Sequence, residues 1–336
     1  MKVSQLGEFG LIDLLASLIE QSGKKGEAWS NLVIGIGDDA AVWRCQSGTQ
    51  IATVDALVQD VHFKLGGISW EDLGWKSLAI NVSDIAAMGG VPKYALVSLA
   101  VPDTTESEDI VSMYRGMLDL AGRHGIAIVG GNVSRAPLVT INITLLGEEG
   151  PSGNLLRRSA AKPGDKVAVT GHLGGAAAGL RVLTQGLTAE GFSFKQSFAR
   201  PVPRVNEGLL LVENGVRAAI DLSDGLVSDI GHVCRASSLG ARINVDDLPL
   251  AQGLKESYPD YATEWGLSGG EDYELLFTAP SRIVRAVGVA LDCPVTVVGE
   301  MIMDPNSRVV LVDKAGNPFS LRQGGWDHFT RENHGA

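Results

Sequence analysis

Asn81-Val82-Ser83-Asp84-Ile85-Ala86-Ala87-Met88-Gly89-Gly90 closes a stretch in which Leu73, Lys76, Ser77, Ala79, Ile80 and Ser83 fall at helical spacing. Ser69, with Asp72 as capping partner, predicts where that helix starts, and Gly89-Gly90 predicts where it stops. Asp84 therefore sits in the last turns, where the backbone presents carbonyls and the macrodipole is negative. A bare carboxylate is disfavoured there unless a cation offsets it. Two readings follow, a solvated helix-end charge or a metal ligand, and the other acids of the chain bear on the choice.

On the N-terminal side, Phe9, Leu11, Ile12, Leu14, Leu15, Leu18 and Ile19 predict an amphipathic helix ending near Gly23. Leu32 to Ile36, Ala40 to Trp43 and Ile51 to Val54 read as short strands. On the other side come a strand from Ala95 to Val101, a helix entered at Thr105 with Glu108 as capping partner, and a strand from Ile126 to Val129 that precedes Gly130-Gly131-Asn132. Val139, Ile141, Ile143 and Leu145 alternate with Thr140, Asn142 and Thr144, the pattern of a strand with one buried face. Glu148 to Gly164 is rich in Gly, Pro, Ser and Arg without a period, which places a boundary between domains 1–148 and 149–336. Beyond it, Val167 to Val169 and Ala218 to Ile220 read as strands, and Gly175 to Leu183 and Arg204 to Glu213 as helices. The expected fold class is α/β (α+β), with two mixed domains.

The 336 residues are 45% apolar and 20% charged, a globular composition, with a formal charge of −11. That surplus argues against a nucleic acid partner and suits divalent cations. Cys45, Cys234 and Cys293 show neither disulfide nor thiolate-metal spacing, so they are expected as buried thiols in a reducing cytoplasm. Neither a secretion signal nor a membrane span is expected.

Gly37-Asp38-Asp39, Val54-Asp55 and Asp221-Leu222-Ser223-Asp224-Gly225 each put carboxylates at what reads as the end of an apolar strand, with Asp84 as a fourth source. Crowded carboxylates raise one another's pKa unless cations share the site. Mg²⁺ suits a dispersed set, because it is usually held by one or two carboxylates plus substrate phosphates. The rival reading makes these Asp residues turn formers and helix caps, and no GxxxxGK[ST] or GxGxxG run decides between them.

The segments Gly35 to Ala41, Asp55 to Val58 through His62-Phe63, Asn81 to Gly89, Ile220 to Leu226, and Leu267-Ser268-Gly269-Gly270-Glu271-Asp272-Tyr273-Glu274-Leu275 resemble the thiamine-monophosphate kinase family, in that family's order and across nearly the whole chain. The resemblance implies phosphorylation of thiamine monophosphate by ATP to thiamine diphosphate, by direct in-line transfer assisted by several Mg²⁺ ions. It implies magnesium ligands at Asp39, Asp55, Asp84, Asp221 and Asp224, with Thr53 and Val54 beside them. ATP contacts fall at Gly131, Asn132, Arg158 and Ser223, Asn132 also standing at a metal position, and thiamine phosphate contacts at His62, Glu271 and Trp326. No covalent nucleophile is expected, because phosphoryl transfer asks for charge neutralisation and alignment. It also implies a cytoplasmic homodimer in which the N-terminal sheet pairs with its counterpart into a shared barrel, the C-terminal α/β domain completing the cleft.

Each position also has a plainer reading: Arg158 as a linker charge, His62 as a strand histidine, Trp326 as a C-terminal anchor and Gly269-Gly270 as a turn. The chain departs from the family pattern where Asn132 and Val54 replace the usual Asp and Thr, so the one metal position beside them is expected to bind more weakly or to rely on the ATP phosphates. Two alternatives stay open. One is another ATP-dependent member of the superfamily, such as aminoimidazole ribonucleotide synthetase, selenophosphate synthetase or the hydrogenase-maturation carbamoyl dehydratase, the last two disfavoured by the absence of a cysteine near either end. The other is a sensor that kept the pocket without the chemistry.

Overall fold

In a computed structural model the described residues are 2–23, 26–34, 42–44, 48–187 and 193–321. Asp39 with its neighbours Gly37 and Asp38, together with Cys45 and Trp326, lies outside them. The chain divides into two compact units, Met1–Leu155 with Ala199–Val212, and Leu156–Phe198 with Glu213–Ala336.

The first unit runs α1 (Val3–Gln21), α2 (Glu27–Asn31), β1 (Leu32–Ile34), β2 (Val42–Trp43), β3 (Gln50–Val58), α3 (Trp70–Ala87), β4 (Gly90–Val101), α4 (Ser107–His124), β5 (Ala127–Arg135) and β6 (Thr140–Glu149). β1 and β2 form a two-stranded sheet, and β3-β6-β4-β5 form a four-stranded one. In the larger sheet β6 is antiparallel to both neighbours and β4 is parallel to β5. Alternation sorts its residues: Ile141, Ile143, Leu145, Val97 and Leu99 are buried on the face that α3 covers, while Val54 and Ser98 are exposed on the reverse face. Helix α3 opens as expected, with the Ser69 hydroxyl accepting from the Asp72 amide at 3.0 Å.

Helices α3 and α4 meet backbone to backbone. A Cβ on Gly74 would lie 1.8 Å from the Met113 carbonyl oxygen, and one on Gly116 1.8 Å from that of Glu71, so no larger side chain fits at the crossing. The same helices hold the returning segment and α7 (Val205–Glu213). Arg200 binds Glu71 and Asp72, Trp75 Nε1 donates to the Pro201 carbonyl at 2.7 Å, and the Trp75 ring lies against the guanidinium groups of Arg123 and Arg200.

Four local expectations are corrected. β3 runs on to Val58, since it pairs with β6 from Gln50↔Glu148 to Val58↔Thr140, and Asp55 is therefore inside a strand and not at its end. β4 begins at Gly90 and β5 continues through Gly131 and Asn132, again because ladder pairing outlasts the apolar run. Helix α4 begins at Ser107 without a side-chain cap, and Glu108 accepts from the Ser107 hydroxyl at 3.0 Å. The split between the units is not a single cut, because the contacts of Arg200, Pro201 and α7 hold 199–212 to α3.

The second unit holds β7 (Lys166–Thr170), α5 (Gly175–Gln185), α6 (Phe194–Ala199), β8 (Ala218–Asp221), α8 (Leu226–Ser237), β9 (Gly240–Asn244), α9 (Leu254–Ser257), α10 (Ala262–Ser268), β10 (Leu275–Ala279), α11 (Ser281–Ala290), β11 (Val295–Ile302) and β12 (Val309–Val312). Its six strands lie in the order β12-β9-β11-β7-β10-β8, antiparallel except for β12 beside β9. Val169, Ile220, Ile243, Leu276 and Val298 form its core with Leu226, Ile230 and Val233 of α8.

Candidate functional site

In the first unit the expected residues gather where α3 crosses β3. Thr53 and Asp55 share the face turned toward the helix. The Thr53 hydroxyl donates to Asp84 at 2.5 Å, and the Asp55 amide donates to Asn81 Oδ1 at 3.0 Å. Asn81 is wholly buried and fixed in turn by its Nδ2, which donates to the Ser77 carbonyl at 3.0 Å. Two carboxylates and a hydroxyl are thus set beside one helix end, all hard oxygen donors of the kind magnesium takes. Val54 points the other way, 60% exposed, and offers no donor from its side chain.

His62 lies in the turn after β3, where Val58 donates its amide to His62 Nδ1 at 3.0 Å. Gly131 and Asn132 lie on β5, the edge strand opposite β3. With two strands between, they stand about 14 Å along the sheet from Asp55. Gly131, at φ +154°, passes so close to β4 that a Cβ would come within 1.8 Å of the Val97 carbonyl oxygen. Asn132 pairs with Ser98 in a row that continues through Asn142 to Ala56, on the face away from α3.

In the second unit three neighbouring strands end together. Leu275 pairs with Asp221 and Leu276 with Val169, so loops 221–225, 268–274 and 170–176 meet at one end of the sheet. The Glu271 and Tyr273 amides donate to the Ser223 and Leu222 carbonyls at 2.8 and 2.9 Å, and the Leu222 amide to the Glu274 carbonyl at 2.8 Å. Glu271, Ser223, Asp221 and Asp224 are therefore held side by side.

Beneath them, Asp229 in the first turn of α8 accepts from the Asp224 and Gly225 amides at 3.2 and 3.1 Å. Burial, and then the charges of Asp221 and Asp224, push its carboxyl up to about 8. Ligand atoms of Asp224, Asp229 and His232 lie within 4.8 Å of one another. Two carboxyls this close, with Asp221 acting on one of them, cannot all ionise cheaply without a cation, so the two carboxylates fit a magnesium site. His232 is held low by burial and by the nearby Arg235 and Arg158. The Arg158 carbonyl accepts from Ser237 at 2.8 Å, which keeps that guanidinium near α8.

Family models match both halves, the N-terminal domain of AIR synthase related proteins over residues 37–148 and the C-terminal domain over residues 162–312. Thiamine-monophosphate kinase of Bacillus subtilis (strain 168) is 39% identical over 310 residues, covering 89% of this chain and 94% of its own. The chain belongs to the thiamine-monophosphate kinase family. Among solved structures, thiamine-monophosphate kinase from Stenotrophomonas maltophilia K279a is 35% identical with a TM-score of 0.77, covering 89% of this chain and 95% of that one. AaThiL complexed with AMPPCP and TMP is 32% identical with a TM-score of 0.75, covering 98% and 99%.

Membership of the thiamine-monophosphate kinase family joins motifs that lie far apart in sequence, and sequence reading missed the residues that hold them. Asn81 was visible only as part of a motif. Asp229 carried one signal, an acid in the first turn of the helix that follows Gly225. Asp272, which accepts from the Gly174 and Ala176 amides at 2.8 and 3.2 Å, carried none beyond its place in the Ser268 to Glu274 run. No helix among the described residues is long and apolar enough to cross a membrane.

Proposed function

We propose that this chain transfers the terminal phosphoryl group of ATP to thiamine monophosphate, forming thiamine diphosphate by direct in-line displacement. The observation that carries the reading is the likeness, over nearly the full length, to AaThiL complexed with AMPPCP and TMP. Kinship at 39% identity with thiamine-monophosphate kinase favours this reaction over those of the other synthetases of the superfamily.

Asp39, Thr53, Val54, Asp55, Asp84, Asn132, Asp221 and Asp224 are the proposed magnesium ligands, Val54 through its carbonyl and Asn132 through its amide. Magnesium held by these residues would supply positive charge that offsets the charge developing during phosphoryl transfer. The residues themselves set geometry. Asn81 holds Asp55 next to Asp84, Asp229 shapes the turn that carries Asp224, and the Glu271 amide ties the substrate loop to Ser223. Gly131, Asn132, Arg158 and Ser223 are the proposed ATP contacts, Arg158 through its positive charge, and His62, Glu271 and Trp326 the proposed thiamine phosphate contacts. No side chain need act as nucleophile, since the acceptor is the substrate's own phosphate.

On the reverse face of the four-stranded sheet Val54 is 60% exposed, beside a row of small and polar residues, Asn132, Ser98, Asn142 and Ala56. A second copy covering this face would close the two sheets into a shared barrel, and a homodimer of that kind, acting in the cytoplasm, belongs to the proposal.

A single-turnover assay with ATP, Mg²⁺ and thiamine monophosphate tests the reading. Thiamine diphosphate and ADP should appear in equal amounts. Binding of both substrates without product would replace the kinase by a sensor, and light scattering that shows only monomer would remove the shared barrel.

A further inference from the structure

The turn at 270–273 is built against backbone preference. Gly270, Glu271 and Tyr273 have φ of +68°, +61° and +50°, and the last two are side-chain-bearing residues in a region that favours glycine. Such a conformation persists only where its surroundings over-determine it. On one side the Glu271 and Tyr273 amides are bound by the Ser223 and Leu222 carbonyls. On the other, the Asp272 carboxylate spans the start of α5, Oδ2 taking the Gly174 amide at 2.8 Å and Oδ1 the Ala176 amide at 3.2 Å. One residue further, the Thr170 hydroxyl donates to Glu274 at 2.7 Å and accepts from the Leu275 amide at 2.8 Å.

We infer that Asp272 is a positioning residue for thiamine phosphate, clamping the turn between α5 and the Ser223 loop so that Glu271 is presented to the substrate. The inference rests on the substrate role proposed for Glu271. A carboxylate suits the place, because two first-turn amides and the positive end of an eleven-residue helix face it. The clamp is also costly, since burial pushes the Asp272 carboxyl up to about 7, with the charges of Glu274 and Glu271 adding to the rise. A residue that only led into β10 would not need a buried carboxylate aimed at the start of α5.

Asp272→Asn keeps one acceptor and turns an amide group toward the second helix N–H, and Asp272→Ala keeps neither. Loss of alignment at this turn should raise KM for thiamine monophosphate about tenfold in the Asn variant and further in the Ala variant. kcat, and KM for ATP, should stay within about twofold of the parent. Hydrogen exchange at the Glu271 and Tyr273 amides should quicken in the same order. An unchanged KM for thiamine monophosphate alongside a lowered melting temperature makes Asp272 merely structural and overturns the inference, as does an equal rise in both KM values. Should the Ala variant fail to fold, the Asn variant and its amide exchange decide, and unchanged exchange overturns it. A parent protein that makes no thiamine diphosphate refutes the kinase reading instead.

Discussion

Replacing Asn81 by Ala tests whether one buried amide assembles the acids of the first unit. Asn81 is wholly buried, its Oδ1 receiving the Asp55 amide and its Nδ2 reaching the Ser77 carbonyl, each at 3.0 Å. Truncation takes the Asn81 acceptor from the part-buried Asp55 amide, a loss of about 1–3 kcal/mol. The Ser77 carbonyl keeps its place in the helix ladder, so the second bond costs about 0.5–1 kcal/mol. Alanine recovers about 0.6 kcal/mol through its better helix propensity. The net destabilisation should be about 1–3.5 kcal/mol, read as a lower denaturant midpoint with an unchanged slope. Freed from α3, the β3 segment no longer holds Asp55 beside Asp84, and half-saturation by Mg²⁺ should rise about tenfold in steady-state assays. A variant with the parent's midpoint and magnesium dependence would show that α3 and β3 place these acids without Asn81.

Asp229→Asn should flatten the pH dependence of stability in divalent-free buffer. Because the folded carboxyl is raised from 3.8 to about 8, its favourable contribution is complete below the unfolded value and is lost as pH rises through about 8, a loss the amide does not suffer. Thermal melts between those limits check the sign, and a parent that grows more stable across the window refutes it. Gly131→Ala should separate β5 from β4, since the new Cβ would meet the Val97 carbonyl at 1.8 Å, and ATP affinity should fall with it in a nucleotide-binding titration. Gly74→Ala should cost at least about 3 kcal/mol in denaturant unfolding by forcing α3 off α4, and a smaller loss would mean the crossing can slide. Asn132→Asp should tighten the magnesium dependence of turnover, and an unchanged titration would detach that position from the metal.

How far the sequence reveals this molecule depends on the range of each interaction. Helix α3 was legible to within a residue or two, because its cap, its period and its stop are written within Ser69 to Gly90. The alternation from Val139 to Leu145 likewise named the buried face of β6. Strand ends were not legible where pairing sets them: the residues around Asp55 look like a turn until β6 lies beside them along their whole length. The acids themselves stood out, since Asp is conspicuous at the end of an apolar run such as Ala218 to Asp221. What holds them did not, because Asn81 acts 26 residues away on Asp55 and Asp272 acts 98 residues away on Gly174. Neither spacing has a period or a motif, and neither side chain touches a reacting atom. A site that works by alignment hides half of its machinery from composition and spacing, since the charges must be acidic while their supports need only reach. That asymmetry explains why the resemblance named ligands readily and named none of the three residues, Asn81, Asp229 and Asp272, whose hydrogen bonds set the ligand loops in place.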